Sequence, residues 1–407
     1  MLITLNRERK SSFTALGGLR ACIALFTLLS FHCVFASAHL PTDSTASETK
    51  TEQSTSAIKD SFSKGSFIKD KTPEKAASST QMTNAAILLY HHVSTQTPSS
   101  TSVTPDTFTS HMEYIANNHT VLPLTDIVNA IVEGKPLPKD AVAITFDDGY
   151  ANILENAHPI LKKLGFSYTV FINPNEIGVA PQQLTWEEVK RMQDEGVIFA
   201  NHTLDHLHML NYEFTDENWL ERVFENVEAA EKKIDSELGV SLKYLAYPFG
   251  EYNLALAAKL EENGYVGFGQ HSGAVGETSN LLALPRFPAA GPYANLKTLK
   301  TKLNSLAMPV VHTTHAEPRV RSNTLSDTIT LTVDEEDVSL NQVNCFYSGK
   351  NIKTHVDGEK VSFAIESTLP VGRSRVNCTA PSKSMAGRFY WYSMPFFLAD
   401  DNGRYPD

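Results

Sequence analysis

Residues 142–150 read Val142-Ala143-Ile144-Thr145-Phe146-Asp147-Asp148-Gly149-Tyr150 and are the most informative part of the chain for its fold class. Its apolar first half predicts a strand that ends at the two aspartates. Adjacent carboxylates at the end of an apolar strand are costly unless positive charge lies beside them. Because Asp147 and Asp148 end the strand, they lie where the active sites of parallel barrels are built. A turn capped by aspartate is the alternative, and the dipeptide alone favours it.

Six further apolar runs alternate with amphipathic stretches in the region that begins at Ala85. They cover residues 86–90, 168–172, 197–200, 244–247, 265–268 and 281–284. Strands that alternate with helices predict parallel βα units and an α/β fold. Seven such strands over about 230 residues favour a barrel over an open sheet, although periodicity does not prove closure.

Three of the amphipathic stretches carry helix signals. Phe108, Met112 and Ile115 share one face of the first stretch. The second opens with Thr185-Trp186-Glu187-Glu188, which is a capping box. The third is long and stops at Gly239, a residue type that commonly ends helices.

The pattern changes at about Arg319. Apolar residues then alternate with polar ones, as at Ile329, Leu331 and Val333, and no helical stretch intervenes. This pattern predicts an antiparallel all-β domain over 319–407, most simply a small sandwich. Aromatic residues are crowded at 389–397; such rings either stack on sugars or pack in a strand, and packing is the commoner use.

The first 83 residues do not have the composition of a folded domain. Residues 1–38 have a basic head, an apolar run at 21–35 and then Ala36-Ser37-Ala38, the pattern of a secretory signal peptide. The run of about 15 residues is shorter than the roughly 20 that a membrane-spanning helix needs, so cleavage is favoured over anchoring. Residues 39–83 are rich in Ser, Thr, Lys and Glu and predict a disordered linker. We expect a periplasmic or extracellular protein without a stable membrane anchor.

Export changes the meaning of the cysteines. Cys22 and Cys33 fall in the signal peptide, which leaves Cys345 and Cys378. Cysteines of exported proteins commonly pair, so we expect a disulfide in the all-β domain. Two separately buried thiols are the alternative.

Composition excludes some classes of protein. The chain has 407 residues, of which 42% are apolar and 20% charged, which suits two or three globular domains. The formal net charge is −11. A nucleic-acid-binding protein usually carries a basic stripe, so nucleic acid is not an expected partner.

A second polar site follows the run at 197–200 and reads Asn201-His202-Thr203-Leu204-Asp205-His206. Two histidines four residues apart lie on one face of a helical turn and can share a metal ion. Alone this spacing is a weak signal, because the chain has 14 histidines and two solvated ones would look the same. Together with one aspartate, however, the pair makes a facial triad with open coordination positions.

A third site, Tyr247-Pro248-Phe249-Gly250, ends the next strand. Proline fixes the backbone there, and a following N–H group could point into the pocket as an oxyanion donor. The alternative is a tight turn without a chemical role, and the tetrapeptide by itself does not decide between them.

The order and spacing of the three sites resemble the NodB-type polysaccharide deacetylase family. Residues 145–150 are similar to its first motif, 202–206 to its second and 247–250 to part of its third. Leu89-Tyr90-His91-His92-Val93 resembles the opening of the branch that includes the biofilm poly-N-acetylglucosamine deacetylases. The resemblance covers about 85–315 and implies a distorted (β/α) barrel as the catalytic domain, over 84–318.

The resemblance implies a role for each residue. Asp147 would be the general base on a metal-bound water, and Asp148, His202 and His206 would bind the metal. The backbone N–H of Phe249 would hold the oxyanion. The implied cofactor is a divalent metal, zinc above all, with cobalt and nickel as alternatives. The implied activity is hydrolytic removal of N-acetyl groups from a polysaccharide that contains N-acetylglucosamine.

Two positions depart from the family pattern. The family often has an arginine two residues before the proline of its third motif, where this chain has Ala246. Arg286, at a later strand end, could supply that charge, and a surface salt bridge is the alternative. The family's histidine motif, which supplies the general acid, also has no clear match in this chain. The candidates for the acid are His271, His312 and His315, and for each an ordinary surface histidine is the alternative.

Two rival functions remain at this stage. A non-haem iron oxygenase also uses two histidines and a carboxylate, but Asp147 supplies a base that only hydrolysis needs. A non-catalytic glycan-binding protein could keep the barrel, although the base and all three ligands are present. The sequence does not choose among chitin oligomers, peptidoglycan and a β-1,6-linked biofilm polymer, although the opening motif favours the last. It also does not fix the oligomeric state.

Overall fold

The computed structural model describes residues 82–334 and 336–406. The predicted signal peptide (1–38) and the predicted linker (39–83), except for its last two residues, lie outside the described residues. Among the residues that are described, no helix combines the length and the hydrophobicity needed to cross a bilayer.

The first part of the described chain alternates short strands with helices. Its strands are β1 (Asn84–Tyr90), β2 (His92–Val93), β3 (Ser102–Val103), β4 (Thr120–Val121), β5 (Ala141–Phe146), β6 (Thr169–Ile172), β7 (Ile198–Asn201), β8 (Tyr244–Ala246), β9 (Val266–Phe268), β10 (Ala274–Gly276) and β11 (Phe287–Pro288). Its helices are α1 (Pro105–Asn118), α2 (Leu124–Glu133), α3 (His158–Leu164), α4 (Trp186–Asp194), α5 (Trp219–Leu238), α6 (Leu254–Glu262) and α7 (Leu296–Leu303).

Nine of these strands form one sheet in the order β10-β1-β5-β6-β7-β8-β9, with β4 beside β5 and β11 beside β1, while β2 and β3 pair only with each other. The pairs from β1 to β9 along this path are parallel, whereas β10 runs antiparallel to β1. The segment after β10 connects the two sides, because Leu284 bridges to Phe268 of β9 and Phe287 pairs with Leu88 of β1. The expected distorted (β/α) barrel is therefore confirmed. The prediction of a strand at 281–284 is wrong, because this segment turns and only Leu284 makes a β-bridge.

The helices begin and end where local chemistry requires. The capping box is present, since Thr185 accepts from the Glu188 N–H while the Glu188 carboxylate accepts from the Thr185 N–H. Helix α5 ends at Gly239, whose φ of 68° lies in the left-handed region. Helix α1 buries Phe108, Met112 and Ile115, as their spacing predicted.

Both faces of the barrel sheet are buried. Alternate residues of β5 belong to two separate hydrophobic clusters, with Val142, Ile144 and Phe146 in one and Ala141 and Ala143 in the other. Burial on both faces explains why these strands read as continuous apolar runs instead of alternating patterns.

The second part of the described chain is all-β. Its strands are β12 (Ser305–Ala307), β13 (Val310–Thr313), β14 (Arg319–Val320), β15 (Ile329–Val333), β16 (Asn344–Tyr347), β17 (Lys350–Ile352), β18 (Thr354–Asp357), β19 (Lys360–Phe363), β20 (Gly372–Pro381) and β21 (Phe389–Leu398). One sheet has the order β12-β21-β20-β16-β17 with β14 beside β21, and the other has the order β13-β15-β19-β18.

The two sheets form the expected sandwich. Leu331 of one sheet and Val376 of the other belong to the same hydrophobic cluster. The aromatic run lies in the central strand β21, where Tyr390 and Phe396 are buried. Tyr390 and Phe396 therefore pack in the sandwich, whereas Phe389 is exposed and Phe397 belongs to a hydrophobic cluster made mostly of barrel residues. Strands β12 and β13 belong to these sheets although they precede residue 319.

Cys345 and Cys378 form the expected disulfide, which links the neighbouring antiparallel strands β16 and β20. Both cysteines are buried in the core that the two sheets share. The bond closes a loop with a sequence separation of 33 residues. Such a bond stabilises a fold chiefly by restricting the unfolded chain.

The double variant Cys345→Ala/Cys378→Ala should lower the free energy of unfolding of the all-β domain by about 2–4 kcal/mol. Denaturant unfolding, followed by the fluorescence of Trp391 in proteins that also carry Trp186→Phe and Trp219→Phe, measures the change. Wild-type protein treated with a reductant is the control and should unfold like the variant. An unfolding midpoint equal to that of oxidised wild type would contradict the stabilising role.

Candidate active site

The three predicted motifs lie at one edge of the barrel. Asp147 and Asp148 follow β5, His202 follows β7, and Phe249 lies three residues after β8. The carboxyl ends of neighbouring parallel strands meet at the same edge of a sheet. The fold therefore gathers side chains from three distant stretches of sequence at one place.

Arg286 forms a bidentate ion pair with Asp147. Its Nη1 lies 2.7 Å from Asp147 Oδ1 and its Nη2 lies 2.8 Å from Oδ2. Both side chains are fully buried, so the pair is not a surface salt bridge. Burial raises the pKa of Asp147, but the charge and hydrogen bonds of Arg286, together with His202, outweigh burial and hold the pKa below its usual value. The carboxylate is therefore charged at neutral pH and fixed in orientation.

Asp148, His202 and His206 converge on one point. Asp148 Oδ1 lies 3.2 Å from His202 Nε2 and 3.3 Å from His206 Nε2. One ligand atom from each residue lies within 4.8 Å of the others. His202 is fully buried, whereas the His206 side chain is 30% exposed, so the cluster faces solvent on the His206 side. Asp147 is farther away, with its Oδ2 4.0 Å from His202 Nε2.

Hydrogen bonds orient His202. Its Nδ1 lies 2.8 Å from the carbonyl oxygen of Ala246. A carbonyl oxygen only accepts, so Nδ1 carries a proton and Nε2 faces Asp148. The backbone N–H of His202 donates to the Ile172 carbonyl (3.0 Å), and the side-chain amide of Asn173 donates to the His202 carbonyl. Histidines that bind metals are usually held in this way.

The donor set fits a divalent cation. Asp148 Oδ1 and His202 Nε2 are buried and have no hydrogen-bond partner within the described residues, which is rare for buried polar atoms. Burial raises the pKa of Asp148, but the nearby His202 and His206 imidazoles hold it well below its usual range. Burial lowers the pKa of His202, but Asp147 and Asp148 outweigh burial and raise it. One carboxylate and two imidazoles suit zinc and similar ions.

Backbone strain is concentrated at the three motifs. Within 82–334 and 336–406, eight residues other than glycine have positive φ angles. Four of them lie in the motifs, namely Asp148 (73°), Thr203 (67°), His206 (50°) and Phe249 (56°). Such conformations persist where the surroundings over-determine them, and they are common at functional sites.

The turn at Pro248–Gly250 lies beside the triad. The Phe249 ring meets the His206 ring edge-on at a centroid distance of 4.7 Å. On the same ring, His208 stacks at 3.8 Å with an interplanar angle of 2°. His208 Nδ1 in turn lies 2.9 Å from Oε1 of the buried Glu251. The third motif is thus in direct contact with the second.

The three candidate acids are not equivalent. The backbone carbonyl of His271 accepts from the Arg286 N–H (3.0 Å), which places His271 near the Arg286–Asp147 pair. Burial, aided by the Arg375 and Arg286 charges, lowers the pKa of His271 to about 3. His312 is exposed on β13 of the sandwich, and the His315 ring lies 5.3 Å from that of Phe396 in the same domain.

Sequence reasoning missed several groups at the site. The Ala246 carbonyl and the Asn173 amide hold His202. In the sequence, Ala246 was notable only because the family often has an arginine at that position. Arg373 lies in the sandwich, and its Nη1 donates to the Phe249 carbonyl (2.7 Å) across a separation of 124 residues. Arg373 belongs to none of the sequence motifs, and its contact with the site becomes apparent only from the packing of the two domains. His208 could have been suspected of lying near the site from the sequence, since it follows the second motif by two residues.

Comparison with known proteins agrees with this geometry. The family model of polysaccharide deacetylases matches residues 134–268. "Putative polysaccharide deacetylase YxkH" of Bacillus subtilis is 32% identical over 205 residues, which are 49% of this chain and 69% of that protein. A Staphylococcus aureus "Poly-beta-1,6-N-acetyl-D-glucosamine N-deacetylase" is 29% identical over 46% of this chain and 67% of its own.

Among solved structures, the Streptococcus pyogenes deacetylase PplD in complex with acetate is 22% identical to this chain. The superposition covers 55% of this chain and 99% of PplD, with a TM-score of 0.49. The family assignment itself rests on the family model and on the likeness to the Bacillus subtilis protein. On that evidence, the chain belongs to the polysaccharide deacetylase family.

Proposed function

We propose that this protein removes N-acetyl groups from a polysaccharide of N-acetylglucosamine, and that a β-1,6-linked polymer is its substrate. Family membership supports the reaction class. The linkage is supported by the similarity to the Staphylococcus aureus relatives, whose name specifies poly-β-1,6-N-acetyl-D-glucosamine. Chitin oligomers and peptidoglycan are the other N-acetylated glycans that a test must include.

One observation carries the proposal. Asp147 is fixed by Arg286 beside the Asp148–His202–His206 cluster, but it is not a member of that cluster. Two adjacent aspartates therefore have different surroundings, which supports different roles. Asp148 would bind a cation together with the two histidines, while Asp147 would stay available as a base.

The residues of the chain account for the steps of amide hydrolysis. Asp147 accepts a proton from water as the water oxygen bonds to the acetyl carbonyl carbon. The Phe249 N–H donates to the oxyanion that forms on the former carbonyl oxygen. A divalent cation, when bound by Asp148, His202 and His206, supplies Lewis-acid polarisation of the carbonyl and acidifies water.

Breakdown of the tetrahedral species requires a proton on the leaving nitrogen. We assign its delivery to Asp147, which holds the proton taken from water. A carboxylic acid with a lowered pKa gives its proton up readily, so the C–N bond breaks to leave a free amino sugar and acetate. His271 remains the alternative proton donor that the sequence predicted, although burial and the nearby Arg375 and Arg286 charges lower its pKa.

We further propose that zinc is the native cation, with cobalt or nickel able to replace it, and that the protein is exported. The ligand types support zinc. The charge and hydropathy pattern of residues 1–38 supports export to the periplasm or the extracellular space.

A screen of acetylated glycans for acetate release tests the function. β-1,6-linked N-acetylglucosamine oligomers should release acetate, chelation should stop the release, and zinc should restore it. The same rate without oxygen is expected, since hydrolysis consumes only water. If no N-acetylglucosamine polymer released acetate with zinc, cobalt or nickel present, a non-catalytic glycan-binding role would replace this proposal. A requirement for oxygen would favour an iron oxygenase.

The variant Asp147→Asn should lower kcat by about 10²–10⁴-fold, because it removes the base. Its zinc content should equal that of wild type, because the ligand cluster is intact. Acetate release and elemental analysis of the same preparation measure the two quantities. The matched control is Asp148→Asn, which should lose zinc as well as activity. Loss of zinc from Asp147→Asn would mean that the roles of the two aspartates are assigned wrongly.

The variant Arg286→Met should move the acid limb of the pH profile of kcat/KM to higher pH. Without the guanidinium, burial dominates and raises the pKa of Asp147, so the base becomes charged only at higher pH. The shift should be about 1–3 pH units. Unfolding should also become easier by about 3–5 kcal/mol, because a buried carboxylate loses its partner.

Arg286→Lys serves as the matched control, since it keeps the charge and loses the bidentate contact. Its acid limb should lie between those of wild type and Arg286→Met, and this variant keeps the test open if the methionine variant fails to fold. An acid limb that stays at the wild-type pH in both variants would contradict the link between Arg286 and the ionisation of Asp147.

A further inference from the structure

The sandwich domain contacts the candidate active site directly. Arg373, on strand β20, donates from Nη1 to the backbone carbonyl of Phe249 (2.7 Å) and to Oε1 of Gln270 (3.3 Å). Its guanidinium carbon lies 5.6 Å from the centroid of the Phe249 ring. An arginine of the C-terminal domain thus touches both the main chain and the ring of the third motif.

We propose that Arg373 is a positioning residue for deacetylation: it holds the turn at Pro248–Gly250 in the conformation that presents the Phe249 N–H to the oxyanion. The inference rests on the proposed function, since the oxyanion role of Phe249 belongs to it. It adds that the all-β domain completes the catalytic machinery of the barrel.

The turn needs external support because its backbone is strained. Phe249 has φ 56° and ψ 0°, a left-handed conformation that side-chain-bearing residues rarely adopt. Gly250 follows with φ 77°, and a Cβ there would lie 2.9 Å from Gln270 Cβ. Strained conformations of this kind persist only where neighbouring groups hold them.

Two different kinds of contact hold Phe249. His208 stacks on the ring and His206 meets its edge, so residues of the second motif hold the side chain. Contacts with the ring do not fix the direction in which the backbone carbonyl of Phe249 points. Arg373 holds that carbonyl, and a hydrogen bond from a charged donor is stronger than one from a neutral donor. Arg373 therefore restrains the part of the turn that the ring contacts do not.

Arg375 provides a matched comparison two residues along the same strand. It carries the same charge, but its Nη2 lies 3.3 Å from the Tyr293 hydroxyl instead of the third motif. A variant at this position removes a positive charge from the same strand without removing the hydrogen bond to Phe249. It separates the effect of that hydrogen bond from a general electrostatic effect.

Kinetics of the zinc-loaded full chain on β-1,6-linked N-acetylglucosamine oligomers test the inference. Arg373→Met should lower kcat about ten- to a hundredfold, less than the complete loss of an oxyanion donor, while KM stays within about twofold. Zinc content should not change. Arg373→Lys should recover most of kcat, because an ammonium group can donate to the same carbonyl. Arg375→Met should keep the wild-type kcat.

Hydrogen–deuterium exchange of the peptide that spans 247–251 gives a readout that needs no substrate. Gly250 N–H donates to the Tyr247 carbonyl (2.8 Å), so its exchange reports on the turn. Exchange should be faster in Arg373→Met than in wild type or Arg375→Met, at an equal melting temperature. If wild type released no acetate from any glycan, the proposed function would fail while this measurement still tested the role of Arg373.

Three results would overturn the inference. The first is a wild-type kcat in Arg373→Met. The second is an equal loss in Arg375→Met, which would show that charge alone matters. The third is unchanged exchange of the 247–251 peptide in Arg373→Met, which would show that the turn keeps its conformation without the guanidinium.

Discussion

The buried ion pair between Arg286 and Asp147 gives the candidate site its charged, oriented carboxylate. A carboxylate in a dry barrel would normally take up a proton, and Arg286 prevents this by making two hydrogen bonds to it. The same contact fixes the direction of both carboxylate oxygens. Asp147 thereby stays charged and apart from the Asp148 cluster, so a base and a cation site can lie side by side.

Much of the fold could be predicted because its signals are local. The capping box at Thr185–Glu188 and the glycine stop at Gly239 need only neighbouring residues, and both are present. The prediction of a strand at 281–284 was wrong because an apolar run indicates burial and does not indicate backbone pairing. That segment is buried between β9 and β1, yet it turns and makes a single bridge.

The candidate site shows the same division between local and distant information. Asp147, Asp148, His202 and His206 could be predicted, since motifs and strand ends place them at one edge of the barrel. The Ala246 carbonyl could not, because a backbone acceptor leaves no trace in residue type. Arg373 could not, because its contact depends on how two domains meet. The surroundings of His271 could not be predicted either, because its burial and its closeness to Arg375 and Arg286 depend on the folded structure.

We expect that Asp148, His202 and His206 hold one divalent cation while Asp147 stays outside its coordination sphere. A crystal structure of the zinc-loaded protein, with anomalous scattering at the zinc edge, tests it most directly. Zinc should lie about 2.0–2.2 Å from a carboxylate oxygen of Asp148 and from Nε2 of both histidines. Asp147 should remain paired with Arg286. Zinc bound by Asp147, or bound away from these three residues, would show that the proposed cation site is wrong.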